Sequence, residues 1–281
     1  MVTRSPRMID PLITADQLRH AIETGAPLCI LDCRARLGEP EAGRDLWRQG
    51  HLPGSRHLDL DRDLAAPPGE GGRHPLPSRE AFTASLQRLG ITPGVPVVLY
   101  DDRGGQLAAA RAWWMLARWA GHPEVRVLDG GLAAWQAEAG ALDTEAPTLE
   151  PSDWAPSFEE GAWVSAQDLQ AESPSLVDAR GEARFRGEEE PIDPVAGHIP
   201  GARCHPSAAN LTAEGRFRSA AVLARELPEA EVAYCGSGVT ACHNILAYAV
   251  AGRPLPRLYA GSWSDWIRDP GRPIATAASP S

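Results

Sequence analysis

Apolar residues in the first half of the chain follow two alternating patterns. Short continuous apolar runs, typical of strands buried on both faces, occur at residues 28–32, 95–100 and 125–128. Helical spacing fills the segments between them, and Thr14 and Ser78 stand where N-caps are expected. We predict helices over residues 14–25, 78–89 and 107–120, and another around Trp135. This alternation predicts a parallel sheet that helices cover on both faces.

The second half of the chain repeats the first. Gly-His-Leu-Pro-Gly at residues 50–54 returns as Gly-His-Ile-Pro-Gly at residues 197–201, and Asp-x-Arg at 32–34 returns at 178–180. The apolar run that ends at Asp101 returns as the run that ends at Cys235. The matching motifs occur in the same order in both halves and are separated by a nearly constant number of residues. This predicts two copies of one domain.

We therefore predict an α/β protein of two tandem domains, each a parallel sheet with helices on both faces. The first domain is expected over residues 9–143 and the second over residues 157–274. Residues 144–156, which contain three prolines and almost no periodicity, are the predicted linker.

The segment Cys-Gly-Ser-Gly-Val-Thr, residues 235–240, lies between a predicted buried strand and a predicted helix. Ligand sites of such sheets lie outside the carboxyl ends of the strands. Gly236 and Gly238 allow successive backbone N–H groups to point inward as an anion-binding nest, and the following helix adds its partial positive charge. Both features favour a thiolate, so we predict that Cys235 is a nucleophile. A buried structural cysteine beside a tight turn is the alternative.

Composition and charge exclude several classes of chemistry. All 27 basic residues are arginines, so lysine Schiff bases, a pyridoxal-phosphate lysine and a phosphate-loop lysine are impossible. A net charge of −10 argues against nucleic acid and anionic membranes as partners. The most apolar stretch, residues 107–120, is too short to span a bilayer and carries Arg111 and Arg118.

The five cysteines point to a reducing compartment. Their odd number and the absence of an apolar amino-terminal run argue against a secreted disulfide framework, so we expect a cytoplasmic protein. The pairs Cys29 with Cys33 and Cys235 with Cys242 lack the spacing of a tetrahedral zinc site. We expect neither a metal nor a cofactor.

The repeat, its two recurring motifs and the Cys235 loop together resemble the two-domain rhodanese-type sulfurtransferases, and the loop is most similar to that of 3-mercaptopyruvate sulfurtransferases. The resemblance implies two rhodanese-like domains and a cysteine that takes a sulfane sulfur as a persulfide. The sulfur would pass to a thiol, cyanide or protein acceptor, and a thioredoxin-like reductant is one candidate partner. Asp101 at the position of the cysteine implies that the first domain is catalytically inactive. A phosphatase on a similar fold would need an arginine where Ala241 stands.

The resemblance also implies roles for other residues. Ser237, His74 and Asp61 match a catalytic relay, and Arg184 matches an arginine that pairs with the donor's negative group. The loop residues expected to bind substrate are Gly236, Ser237, Gly238, Val239 and Thr240. The structural alternatives are a loop histidine, a helix-capping aspartate and a surface arginine. A second family arginine is replaced by Ile192, and Arg186 is its nearest substitute in the sequence.

The charge of the loop bears on the choice of donor. Thiosulfate is a dianion, and Gly236 and Ser237 bring no charge to receive it. A keto acid with one carboxylate needs one arginine and donors for its thiol and carbonyl. We therefore predict 3-mercaptopyruvate as the preferred donor, with thiosulfate as the alternative. A non-catalytic sulfur-carrier or docking module is the alternative from another functional class.

Overall fold

The computed structural model describes residues 10–138 and 140–276, and these residues form two α/β domains of the same architecture. The strands of the first domain are β1 to β5: Leu12–Ile13, Cys29–Asp32, Arg56–His57, Val97–Tyr100 and Val125–Leu128. Its helices are α1 to α5: Ala15–Glu23, Ala42–Gln49, Arg79–Arg88, Ala108–Trp113 and Gly131–Ala137. A π-helical turn, Trp114–Trp119, continues α4.

The second domain has the same order of elements. Its strands are β6 to β10: Trp163–Val164, Leu176–Asp178, Arg203–Cys204, Val232–Tyr234 and Arg257–Tyr259. Its helices are α6 to α10: Ala166–Glu172, Glu182–Arg186, Ala220–Glu226, Ala241–Val250 and Ser262–Trp266. Short 3-10 turns occur at Glu160–Ala162 and Ser207–Asn210.

Both sheets are parallel and have equivalent strand orders, β1-β5-β4-β2-β3 and β6-β10-β9-β7-β8. The central strands, β4 and β9, are fully buried, as their continuous apolar sequences predict. Asp101 follows β4 and Cys235 follows β9, so the two loops singled out in the sequence occupy the same place in the two domains. The predicted fold class is confirmed.

Two of the predicted helix starts carry full capping boxes. Thr14 Oγ1 accepts a hydrogen bond from the backbone of Gln17, whose side chain accepts one from the Thr14 N–H. Ser165 and Asp168 form the same reciprocal pair at the start of α6. Residues 144–156 form neither helix nor strand. The predicted start of the first domain at Ile9 lies outside the described residues.

The motifs that recur in both copies hold each domain together. Arg34 forms a buried ion pair with Asp32 at 2.5 Å, and Arg180 forms the equivalent pair with Asp178 at 2.7 Å. His51 Nδ1 lies 2.7 Å from the Trp47 carbonyl oxygen, and His198 makes the same contact in the second copy. Because both histidines make such contacts, including the one in the copy without the cysteine, we interpret them as structural residues.

The two domains share one apolar core. Helix α4 of the first domain packs against helix α9 of the second, and the buried residues of both helices belong to one continuous hydrophobic cluster. His243 on α9 crosses this boundary, with its Nε2 3.2 Å from the Gly104 carbonyl oxygen. Side chains of the first domain can therefore act at a site in the second. Among the described residues, every helix is too short or too polar to cross a bilayer.

Candidate active site

Cys235 stands at the carboxyl end of β9, where the chain turns into α9. Its side chain is buried, with 2% of the residue exposed. The Ser262 hydroxyl accepts a hydrogen bond from the Cys235 N–H at 3.1 Å, which ties the residue to the start of α10. The Gly238 N–H points back at Cys235 Sγ from 3.2 Å. The loop therefore curls around the sulfur atom.

The rest of the loop offers unused backbone donors. Within residues 10–138 and 140–276, the N–H groups of Gly236, Ser237, Val239 and Thr240 find no acceptor. Unpaired buried N–H groups are rare in folded proteins because each costs about 1–3 kcal/mol. Four in one loop, in front of the amino terminus of α9, form a nest that suits an anion. These are the loop residues that the sequence singled out.

Gly238 is required by the conformation of the loop. Its φ is +78°, in the left-handed region, and a Cβ at this position would lie 2.3 Å from the Ala260 carbonyl oxygen. Only glycine brings its N–H to Cys235 Sγ without a clash with the backbone that follows β10.

The equivalent loop of the first domain contains its own anion. Asp101 Oδ1 accepts hydrogen bonds from Arg103 N and Gly105 N, both at 2.8 Å, and Oδ2 lies 3.4 Å from Ala109 N. The Asp101 carboxylate therefore occupies the nest of its own domain. The first domain has neither a nucleophile nor a vacant anion site at this position.

His74 crosses from the first domain to the catalytic loop. His74 Nδ1 and Ser237 Oγ are 2.8 Å apart and hydrogen-bonded. Burial and the positive charges of Arg111 and Arg73 lower the pKa of His74 to about 4, so the ring is neutral at pH 7. Asp61 Oδ1 lies 3.7 Å from His74 Nε2, which is beyond hydrogen-bonding distance. The structure brings the three expected relay residues together, with Asp61 the loosest.

Arg184 reaches the same loop from α7. Its guanidinium is held by Glu190, with Nη2 2.7 Å from Oε1, and by Asp193 at 3.3 Å. Burial acts to raise the pKa of Glu190, but the hydrogen bonds from Arg184 and from two backbone N–H groups outweigh it and lower that pKa. A Cβ at Gly236 would lie 3.5 Å from Arg184 Nη2. Arg184 is therefore fixed beside the mouth of the nest.

The sequence argument missed Arg73, which is the second arginine at this site. Arg73 Nη1 is paired with Asp193, and a Cβ at Gly236 would lie only 2.8 Å from Arg73 Nη2. Arg73 Nη2 and Arg184 Nη1 donate no hydrogen bond within the described ranges, so both keep a free donor near Gly236. The position of Arg73 next to His74 in the sequence was the available signal.

The substitute suggested by the sequence is wrong. Arg186 pairs with Glu182 and Glu188 on the outer side of α7, where both glutamates are exposed and Arg186 is half-buried. Ile192 is 53% exposed and contributes no polar group. Because α7 is helical, Arg184 and Arg186 point in different directions, and only Arg184 faces the loop.

The four remaining cysteines lie in settings that keep their thiols protonated. Burial raises the pKa of Cys29 to about 11 and that of Cys242 to about 12. Burial, with the charges of Asp178 and Glu182, raises the pKa of Cys204 to about 12. Cys33 is fully buried, and its pKa is also raised. Cys242 Sγ lies 3.3 Å from the Gly238 carbonyl oxygen, to which its thiol donates.

Two tandem parallel α/β domains, with a cysteine in a nest after the central strand of the second, define the rhodanese class of proteins. A family model described as a rhodanese-like domain matches residues 14–138 and again residues 163–269. The chain belongs to this family. It is an enzyme, a sulfurtransferase that acts on a small-molecule sulfur donor and an acceptor.

Named relatives include sulfurtransferases of both donor types. The "Probable 3-mercaptopyruvate sulfurtransferase" of Pseudomonas aeruginosa is 48% identical over 94% of this chain and 98% of that protein. The thiosulfate sulfurtransferase of Gallus gallus is 33% identical over 91% of this chain and 93% of that protein. The solved 3-mercaptopyruvate sulfurtransferase from Leishmania major superposes with a TM-score of 0.81 at 27% identity, covering 95% of this chain and 77% of that one.

Proposed function

We propose that the protein moves a sulfane sulfur from 3-mercaptopyruvate to a thiol or cyanide acceptor through a persulfide on Cys235. The observation that carries the proposal is the nest: Cys235 Sγ faces the Gly238 N–H, and four further backbone donors around it are unused. A thiolate and the outer sulfur of a persulfide are both anions that such donors stabilise. No side-chain base is needed to hold either one.

The first half-reaction breaks a C–S bond and forms an S–S bond. The Cys235 thiolate attacks the donor's sulfur, and the C–S electron pair leaves with C3 as the enolate of pyruvate. The proton of the donor's thiol ends on C3, which gives pyruvate and a persulfide anion. In the second half-reaction an acceptor thiolate attacks the outer sulfur, and the Cys235 thiolate leaves.

Ser237 and His74 suit this movement of a proton from sulfur to carbon. A neutral His74 can accept a proton at Nδ1 through the Ser237 hydroxyl and return it by the same path. Thiosulfate releases sulfite without any proton transfer, so the pair has no task with that donor. The relay therefore favours 3-mercaptopyruvate over thiosulfate.

The free donors of Arg73 and Arg184 suit the donor's carboxylate. They flank the space in front of Gly236, where an absent side chain leaves room. Asp193 and Glu190 hold both guanidinium groups in place and also offset their charge, so the site receives a monoanion more readily than a dianion.

Acceptor and compartment follow from the same chemistry. A persulfide transfers its outer sulfur to any accessible thiolate, so a thioredoxin-like dithiol remains a candidate reductant alongside small thiols. The cytoplasm, which keeps thiols reduced, suits five free cysteines. Neither a nucleic acid nor a membrane is part of the proposal.

Sulfur labelling tests the proposed intermediate. The purified protein, treated with 3-mercaptopyruvate without an acceptor, is expected to gain the mass of one sulfur atom on the peptide that contains Cys235. Added cyanide should remove that mass and yield thiocyanate. A sulfur located on Cys29, Cys33, Cys204 or Cys242 would contradict the assignment, and no gain of sulfur from either donor would contradict the proposed intermediate.

Donor kinetics test the arginine pair. With cyanide as the common acceptor, kcat/KM is expected to be higher for 3-mercaptopyruvate than for thiosulfate. Arg73→Met should lower kcat/KM for 3-mercaptopyruvate about tenfold to hundredfold, since a charge-assisted hydrogen bond contributes about 1.5–3 kcal/mol. Arg186→Met is the matched control, because Arg186 pairs only with Glu182 and Glu188. Equal kinetics for the two variants would exclude Arg73 from donor binding.

A further inference from the structure

Arg111 on helix α4 is a buried cation in an unusual setting. Its side chain is fully inaccessible, with 0% exposure. Its guanidinium donates to the backbone carbonyl oxygens of Leu64 at 3.2 Å from Nη2, His74 at 3.1 Å and Gly238 at 3.1 Å, and it also contacts the side chain of Cys242. Within residues 10–138 and 140–276, no carboxylate forms an ion pair with it. A guanidinium does not lose its proton in proteins, so its charge is buried with it.

Such a charge is costly unless an anion lies nearby. Removing an ion from water costs several kcal/mol, and carbonyl groups offset this only in part. Burial lowers the pKa of Arg111, and the groups that act in the opposite direction are the sulfur atoms of Cys242 and Cys235. Cys242 is a protonated thiol that donates to the Gly238 carbonyl. Of the two sulfur atoms, only that of Cys235 is therefore available to carry a negative charge near Arg111.

Arg111 also binds to both parts of the site, the nest and the relay. Its Nη1 binds the carbonyl of Gly238, the residue whose N–H donates to Cys235 Sγ. Its Nη2 binds the carbonyl of His74, the residue whose ring bonds to Ser237. One side chain of the first domain therefore fixes a backbone donor of the nest and the histidine of the relay.

We propose that Arg111 is a positioning residue of the sulfur-transfer site: its buried guanidinium is the counter-charge of the Cys235 thiolate and of the persulfide anion. The proposal rests on the proposed function, because it assigns the first domain an electrostatic task in that reaction. Gly238 contacts both groups, since its carbonyl oxygen accepts from Arg111 and its N–H donates to Cys235 Sγ. The stabilisation therefore acts through space across the domain boundary.

Alkylation of Cys235 tests the charge directly and requires no sulfur donor. Iodoacetamide reacts with the thiolate, so its rate at pH 7 reports the thiolate fraction. We expect Arg111→Met to lower this rate at least about tenfold, because it removes the buried charge. At pH 10 the Met variant should recover, because hydroxide then removes the proton. The other charged groups around this loop, Arg73, Arg184, Asp193 and Glu190, are the same in all variants.

Each outcome decides the proposal. Alkylation of Arg111→Met at the unaltered rate overturns it, and so does a slow rate at both pH values, which would indicate a purely structural role. If sulfur labelling of Cys235 succeeds while these tests fail, the proposed function stands and only the task of Arg111 is rejected.

A second measurement covers the case in which Arg111→Met does not fold. Cys235→Ser removes the proposed counter-charge and leaves Arg111 in place. We expect its thermal midpoint at pH 7 to fall by several degrees relative to the unaltered chain, whereas Cys204→Ser, far from Arg111, should unfold at the original temperature. A midpoint for Cys235→Ser that is unchanged or higher overturns the proposal.

Discussion

Cys235→Ser is expected to abolish sulfur transfer from both 3-mercaptopyruvate and thiosulfate. A serine hydroxyl is un-ionised at neutral pH and does not form a persulfide, so the double-displacement route is lost. The turnover rate should fall by at least about 10⁴-fold, the scale seen when a covalent nucleophile is removed. Steady-state thiocyanate formation with cyanide as acceptor measures this loss.

The control separates the nucleophile from the other cysteines. Cys204 lies on β8, with its Sγ 3.6 Å from the Arg180 carbonyl oxygen, and takes no part in the Cys235 loop. Cys204→Ser should therefore retain the original rate. Substantial turnover by Cys235→Ser would mean that another residue, or the first domain, performs the reaction.

Gly238→Ala should have the second-largest effect. The new Cβ would lie 2.3 Å from the Ala260 carbonyl oxygen, at a φ of +78° that alanine avoids. The loop must move to relieve this contact, and the Gly238 N–H then leaves Cys235 Sγ. Because an error of about 1 Å in an active site costs about 100-fold in rate, we expect at least that loss in kcat/KM.

Gly201→Ala is the matched control for backbone strain. Gly201 has a φ of +81°, but a Cβ there would have no atom within 4 Å. Its replacement should cost about 1–2 kcal/mol of stability and leave kcat/KM unchanged. Equal activity losses in the two variants would show that the strain of a left-handed alanine, and not the placement of the loop, determines the rate.

The sequence was sufficient for the architecture because the architecture depends on local patterns. Buried strands, capped helices and a twofold repeat leave regular marks on the chain, and Thr14 and Ser165 form the capping boxes that their neighbours predict. Cys235 was equally accessible, since a Gly-x-Gly loop after a strand is a local signal. The helix over Ala42–Gln49 escaped prediction because it is mainly polar and short.

The groups that surround Cys235 were harder to predict because they come from distant segments. Arg73 lies beside Gly236 although 163 residues separate them in the sequence, and no local sequence pattern predicts such a contact. In the sequence, Arg111 stood out only as a charged residue inside an apolar helix. The structure explains its presence there, because its guanidinium is buried and donates to the Gly238 carbonyl oxygen. Arg186 was suggested by its short distance from Ile192 in the sequence, but on α7 its side chain points away from the loop.

The side chain of Asp101 explains how a duplicated copy becomes committed to a supporting role. Three backbone donors that could hold a transient ligand are satisfied permanently by two oxygens of one residue. A cysteine in its place would offer a single sulfur atom to all three, so a return to catalysis by one substitution begins with a loss of stability. Substitutions in the first copy are then limited to those that preserve its support of the second copy. The duplicated chain is thereby held to one catalytic and one supporting copy.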